Sequence, residues 1–399
     1  MSFQFKVEKI ISYITILVLL VHHSVTAQTG GELKIAVGQP FTIAKSEQHR
    51  SWGYWCFPVL QKCANGDLLL SFNTGEDAFL STQVGTNLYR SVDGGRTWKP
   101  AQGWENRSVS PRVRESYLRY NQKAPADAVG GGCLGGLAGF CNLADGTCVS
   151  FLYHTMRSEG ADAFVDSMWK SEDGGRNWLG PVDVNFHVPG NALNEQGKGQ
   201  AIWQRSVRLK NGNLVTVAHT LFAEDKKLRV IAMGSSDKGM NWRYLATVAN
   251  NQALDTEGFT EPVLCQNAHG DLICLMRTEG GRPMYQSFSH DGGETWTPPK
   301  QAGVNGVAPD MHLLSCGVLA CSYGRPGVNI MFSTDGTGND WVNHTSIFTG
   351  SSSGYTSFAE VSPGRILLIF DSINFQDADG ASPANCIRGV YIEVSKTAK

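Results

Sequence analysis

The stretch Ser91–Trp98 reads "SVDGGRTW", an acid, two glycines, a base and a tryptophan within eight residues. Taken alone it resembles a reactive site, but it recurs as "SEDGGRNW" from Ser171, "SSDKGMNW" from Ser235, "SHDGGETW" from Ser289 and, one residue longer, "STDGTGNDW" from Ser333. Five copies cannot each be an active site. The shared pattern Ser-x-Asp-x-Gly-x-x-Trp suits a tight β-hairpin turn. The Asp carboxylate accepts backbone N–H bonds, Gly takes the left-handed conformation, and Trp folds back over the sheet. A calcium loop would need several oxygen ligands in one stretch, whereas these copies share one carboxylate position. The acid is therefore read as structural.

A second repeat interleaves with the first: an apolar strand, a turn containing Gly, and another apolar strand. Its copies are "PVLQKCANGDLLLSF" from Pro58, "NLADGTCVSFLYHT" from Asn142, "SVRLKNGNLVTVAHT" from Ser206, "PVLCQNAHGDLICLMRT" from Pro262, "MHLLSCGVLACSYG" from Met311 and "SFAEVSPGRILLIFDS" from Ser357. Each reads as a hairpin, and five are followed by the Asp-containing hairpin, giving four strands per unit. The expected fold is all-β: a six-bladed β-propeller of four-stranded antiparallel blades. "GVYIEV" from Gly389 is placed to pair with the blade that also holds "ELKIAVG" from Glu32, closing the ring. Forty-five glycines and ten tryptophans agree with many short strands joined by turns.

The N-terminus carries Lys6 and Lys9, an apolar run from Ile10 to Val21 and the small-residue ending Val25-Thr26-Ala27. This order of features is that of a secretory signal cleaved near Ala27. Residues 28–399 then form one domain, secreted or periplasmic, with no membrane span after cleavage. A formal net charge of −2, with no basic stripe, gives no footing for nucleic acid. Ten cysteines permit disulfides without forming a disulfide scaffold. Cys133, Cys141 and Cys148 are spaced to staple a Gly-rich loop, and Cys265, Cys274, Cys316 and Cys321 fall in strand-like runs. No CxxC pair or HExxH motif supports zinc, so neither metal nor organic cofactor is expected. The longest insertion between repeats, Trp104–Cys141, reads as a loop shaping one face.

In a propeller, residues just before each first strand and just after each second strand emerge near one axis. Trp55, Cys56, Arg205, Glu261, Asp310 and Tyr355 occupy the first kind of position. Glu76, Asp77, His154, His219, Arg277, Arg325 and Asp371 occupy the second. Paired guanidiniums call for an anion, and a planar fork suits a carboxylate. That anion is either a substrate or an internal partner among Glu261, Asp310 and Asp371. Trp52, Tyr54 and Trp55 offer an aromatic platform for a sugar ring. His154 and His219 read as hydrogen-bonded core residues.

The Asp boxes and six hairpins together resemble the sialidase (neuraminidase) superfamily, over nearly the whole chain after the leader. "TEPVLCQNAHGDLICLMRT" is similar to the segment in which a Glu precedes the strand and an Arg of a carboxylate-binding triad ends its partner, which implies these roles for Glu261 and Arg277. "GYTSFAEVSPGRILLIFDS" is similar to the segment carrying the catalytic Tyr, which implies Tyr355 as nucleophile; Arg325, just before an Asp box, suits a further triad arginine. The implied reaction is retaining hydrolysis of a terminal sialic acid-like sugar on a glycan, with Glu261 as the base for Tyr355 and Asp77 as the acid for the leaving group. A phenol approaches an anomeric carbon bearing a carboxylate without the repulsion a carboxylate nucleophile meets. Arg205, Asp310 and Trp55 complete the expected substrate contacts, and a monomer is expected.

One departure stands out. Where the family places its first triad arginine, in an Arg-Ile-Pro motif, this chain reads "YWCFPVL", with Cys56 at the arginine position. Loss of one charge-assisted contact costs about 1.5–3 kcal/mol, enough to change the preferred sugar. The alternatives are a glycosidase or lyase acting on another sugar, such as a uronic acid, and a noncatalytic carbohydrate-binding propeller.

Overall fold

The recurring octet forms the hairpin turn its residues dictate. In the computed structural model, Ser91 Oγ donates to Asp93 Oδ1 at 2.7 Å and accepts Gly95 N–H at 2.9 Å, while Asp93 Oδ1 accepts the N–H groups of Arg96 and Thr97 at 3.0 Å. Trp98 folds back to donate its indole N–H to Gly95 O at 3.1 Å. The copies at Ser171, Ser235 and Ser289 repeat the Ser–Asp and Ser–Gly bonds within about 0.2 Å of these lengths. The longer copy differs: Trp341 donates instead to Gln286 Oε1 at 2.7 Å. The structure describes residues 33–46, 52–75, 86–101, 109–120, 137–158, 163–189, 198–202, 204–375 and 383–397.

The described chain is all-β apart from one α-helix, Pro111–Tyr120. Three of its sheets are antiparallel and four-stranded in simple succession. They hold Cys56–Lys62, Leu68–Asn73, Thr86–Ser91 and Lys99–Pro100; Thr260–Gln266, Leu272–Arg277, Pro283–Ser289 and Lys300–Asn305; and Val307–Leu313, Leu319–Gly324, Val328–Ser333 and Val342–Phe348. A fourth joins the chain ends, Leu33–Val37 pairing with Ala384–Lys396 in the register Leu33↔Lys396, beside Arg365–Phe375 and Thr356–Ser362. The expected second and third units are fused into one ten-stranded sheet. His154–Arg157 pairs with Lys198–Ile202 between them, and Leu179–His187 meets Asn241–Ala249 in parallel.

The first strands adjoin one another around an axis. Cys56–Lys62 lies beside Thr356–Ser362, which lies beside Val307–Leu313, and that beside Thr260–Gln266. Val207–Arg208 touches both Thr260–Gln266 and Ala138–Asn142, and Asn142 Nδ2 returns to Lys62 O at 2.9 Å. The result is a β-propeller-like architecture.

The Asp-box glycines hold neighbouring units together. A methyl group at Gly95 would lie 2.1 Å from Leu367 Cδ2, at Gly175 2.8 Å from Leu69 Cδ2, at Gly239 3.1 Å from Phe151 Cζ, at Gly293 3.3 Å from Val215 Cγ1, and at Gly338 2.4 Å from Ile273 Cδ1. Each turn therefore sits on the second strand of the unit before it, in order around the ring. All five glycines also have positive φ, between 84° and 102° for the first four and 79° at Gly338.

The insertion read as a loop holds the helix. Ser110 Oγ caps it by accepting Val113 N–H at 3.3 Å, and Pro111 opens it with the one residue type that has no N–H to leave unpaired. Its buried Val113 and Ser116 face the strand His154–Arg157, where Ser116 Oγ donates to Arg157 O. The cysteines also differ from expectation. Cys148 faces Cys63 of the neighbouring unit, and the hydrogen bond between the two thiols, then burial, pushes Cys63 up. Cys133 lies outside the described residues. Of the cysteines in strand-like runs, Cys265, Cys274 and Cys321 are buried, while Cys316 sits half-buried in a turn.

Candidate active site

The first strands share a distortion at one end. Phe57, Glu261 and Ala308 have φ of 57°, 43° and 45°, and each is followed by a proline. At each the ladder skips, between Cys56 and Val59, Thr260 and Val263, and Val307 and Asp310. A bulge leaves one N–H outside the ladder, so Pro58, Pro262 and Pro309 cost no sheet bond there. Non-glycine residues at positive φ store about 1–3 kcal/mol of strain, here repeated around one mouth of the ring.

Glu261, only 4% exposed, is the hub. Its Oε1 accepts from Arg277 Nη1 at 2.6 Å and from the Tyr355 hydroxyl, and its Oε2 accepts Ala308 N–H at 3.0 Å. Its own N–H donates to His219 Nδ1 at 3.3 Å. That bond requires His219 to be unprotonated at Nδ1; burial, with help from the Arg277 charge, lowers its pKa to about 4. Arg277 extends the chain through Nη2 to Glu257 Oε1 at 3.2 Å.

Tyr355 is the other half of the couple. Burial, then the Glu261 carboxylate, raises its phenol well above the usual tyrosine value. It is therefore protonated while waiting, and the Glu261 carboxylate stands ready to accept its proton. The ring meets Phe57 edge-on at 4.9 Å between centroids, and Phe57 in turn meets the half-exposed Trp52 at 5.3 Å. Below them Asp371, fully buried, accepts Phe57 N–H at 3.0 Å, Ser353 N–H at 2.7 Å and Ser352 Oγ–H at 3.0 Å. Burial pushes the Asp371 carboxyl up while the Ser353 bonds hold it down. One acid thus fixes both the first-strand bulge and the turn that delivers Tyr355. Arg325 lies on the remaining side, its Cζ 5.9 Å from the Tyr355 ring centroid and its Nε donating to Ser353 O at 2.8 Å. Its terminal nitrogens have no partner among the described residues.

The structure thus gathers Tyr355, Glu261, Arg277 and Arg325 at one mouth. It does not gather the other expected ligands. Arg205 and Asp310 pair with each other at 3.0 Å, and Arg205 also contacts His312. Fully buried Asp310 accepts Ser357 Oγ–H and Phe358 N–H, both at 2.9 Å. Arg205 and Asp310 form a tie between first strands in which each charge is spent on the other, which is not the substrate contact expected of them. Trp55 is corrected too: it packs on the first sheet's core, 6.4 Å from Phe72, and Phe57 takes the place beside Tyr355. Cys56 is fully buried, its thiol donating to Tyr54 O at 3.4 Å, so no charge replaces the missing arginine there. Asp77 and Glu76 lie outside the described residues.

Phe57, Glu257 and Tyr153 were not singled out by sequence as site residues. Tyr153 lies beside His154 and His219, with centroids 4.4 and 6.2 Å away. The signal for Phe57 was present: "FP", "EP" and "AP" open three first strands, so Phe57 is the counterpart of Glu261. No comparable pattern marks Glu257. Among the described residues, no group of three or more His, Cys, Asp or Glu side chains is arranged to hold a metal ion.

Comparison with known proteins agrees with this geometry at the level of fold. The family described as BNR repeat-like domain matches residues 141–368, over half of the chain. No curated protein sequence matches. Among solved structures, a protein of unknown function from Dyadobacter fermentans superposes with a TM-score of 0.66 at 20% identity, over 90% of this chain and 99% of that one. A Hadza microbial sialidase gives 0.62 at 17% identity, covering 90% of this chain and 68% of that one. A Penicillium chrysogenum alpha-L-arabinanase complexed with arabinobiose gives 0.58 at 15% identity, covering 89% and 98%.

Proposed function

We propose, from the premise that the chain belongs to the BNR repeat-like domain family, that it is a retaining exo-glycosidase with Tyr355 as nucleophile, acting on a terminal acidic sugar of a glycan. The observation that carries this reading is the Tyr355 hydroxyl donating to a buried Glu261 carboxylate. A phenol with an ordinary pKa of about 10 needs such a base to attack at neutral pH.

In this reading the Tyr355 proton passes to Glu261 as the phenolic oxygen bonds to the anomeric carbon. The glycosidic C–O bond breaks, and the departing oxygen takes a proton from an acid, assigned to Asp77. Water then attacks the glycosyl–tyrosine bond on the same face, giving its proton to that acid's conjugate base, and Tyr355 recovers its own from Glu261. In this reading the Arg325 fork takes the substrate carboxylate. The fold in this reading is a six-bladed propeller in one domain from residue 28, exported after cleavage of the leader, and acting as a monomer.

Buried Cys56 and the Phe57 ring in place of a third guanidinium favour a second reading, in which the sugar is a uronic acid rather than a sialic acid. The two are separated by aryl glycosides of a sialic acid, a uronic acid and a neutral sugar, with Tyr355→Phe as control. We expect release from an acidic member and loss of it by about 10³-fold or more in the variant. Hydrolysis undiminished in Tyr355→Phe overturns the nucleophile assignment. Release from the neutral member alone overturns the acidic sugar.

A further inference from the structure

Both ends of the Arg277 fork are engaged: Nη1 with Glu261 at 2.6 Å and Nη2 with Glu257 at 3.2 Å. Glu257 is set by its backbone. Its carbonyl accepts Leu228 N–H at 2.9 Å, and Phe259 N–H returns to Leu228 O at 2.9 Å. Gly258 between them has φ of 104°, and a methyl group there would lie 2.3 Å from Leu228 O. The backbone is thus clamped to a neighbouring strand end with no room for a side chain. Glu257 Oε1 also accepts from Thr260 Oγ1 at 3.3 Å.

Arg325 is in the opposite condition: among the described residues only its Nε is committed, to Ser353 O. A carboxylate is gripped bidentately by two adjacent N–H groups of one fork. Arg325 can present its terminal pair, whereas both terminal nitrogens of Arg277 already hold carboxylates. Separating Arg277 from them would leave Glu261, 4% exposed, without its cation, and an unpaired buried charge is strongly unfavourable.

We propose that Glu257 is a positioning residue: it holds Arg277 on Glu261, so that Arg277 serves the Tyr355–Glu261 couple and recognition of the substrate carboxylate falls to Arg325. This rests on the reading of Tyr355 and Glu261 as the catalytic couple. It reduces the anionic grip to one arginine.

The test measures kcat and KM for Glu257→Gln, Glu257→Asp, Arg325→Ala and Tyr355→Phe on the aryl sialoside or aryl uronide that the wild type cleaves. For Glu257→Gln the expected result is a fall in kcat of about tenfold or more with KM within about twofold, partly restored by Glu257→Asp, which keeps the charge. For Arg325→Ala it is a rise in KM of about tenfold or more with the smaller change in kcat. If Arg277 instead binds substrate, Glu257→Gln frees it and KM falls; that result, or an unchanged kcat, overturns the proposal. Equal turnover by Tyr355→Phe overturns the underlying reading whatever Glu257→Gln does, so the two failures are distinct. Thermal unfolding of each variant identifies any loss of kcat that comes from unfolding.

Discussion

At the scale of single residues, the site is a chain of shared hydrogen bonds: Phe57, Ser353 and Tyr355 hang from Asp371, and Tyr355, Arg277 and Ala308 converge on Glu261. His219 adds a pH-sensitive link. Its pKa is lowered from 6.5 to about 4 on folding. The unfolded chain therefore binds one more proton than the folded one between those values, and stability present above pH 6.5 is lost as pH falls toward 4. Wild-type protein should lose thermal stability relative to His219→Gln across that window, with no further divergence below it. Parallel melting temperatures from pH 7 to 4 would contradict a neutral His219 in the folded site. Much of this level was legible in sequence, since Glu261, Arg277, Arg325 and Tyr355 all fall at strand ends. Glu257 was not, because its place depends on the pairing of Gly258 with Leu228, a contact between loops remote in sequence.

At the scale of elements, the Asp box does two jobs. Its Ser and Asp close the turn locally, as the sequence pattern requires, and its glycine accepts a side chain from the preceding unit, which no local pattern reveals. Gly95 and Gly146 separate these jobs, having similar φ of 89° and 86°. A methyl group at Gly95 meets Leu367, and at Gly146 it meets nothing within 4 Å. Gly146→Ala should cost only the left-handed backbone term, about 1 kcal/mol. Gly95→Ala adds overpacking of about 1–3 kcal/mol and should melt well below it. Equal melting temperatures would remove the glycines from the contact between units. The helix Pro111–Tyr120 was missed because Gly-rich text around it set the reading, although Ser110-Pro111 is a helix-start signal. The merging of the second and third sheets was missed because it depends on the short strands His154–Arg157 and Lys198–Ile202, which carry no repeat signature.

At the scale of the molecule, pairing of Leu33–Val37 with Ala384–Lys396 ties the first and last described strands into one sheet, as the apolar segments at Glu32 and Gly389 led us to expect. Bringing first strands to a common axis is what lets residues as far apart as Phe57, Glu261 and Tyr355 meet. The same geometry explains why sequence overreached at Arg205 and Asp310. Position near a first strand places a residue close to the axis but does not say which partner its charge meets, and these two meet each other. The central claim, that Tyr355 is the group that bonds to the sugar, is tested most directly by trapping. The protein is incubated with a fluorinated, activated glycoside of the sugar it hydrolyses, digested, and the modified peptide sequenced by mass spectrometry. The account predicts one glycosyl adduct, on the Tyr355 hydroxyl; an adduct on Glu261 or another carboxylate, or turnover with no adduct at Tyr355, would contradict it.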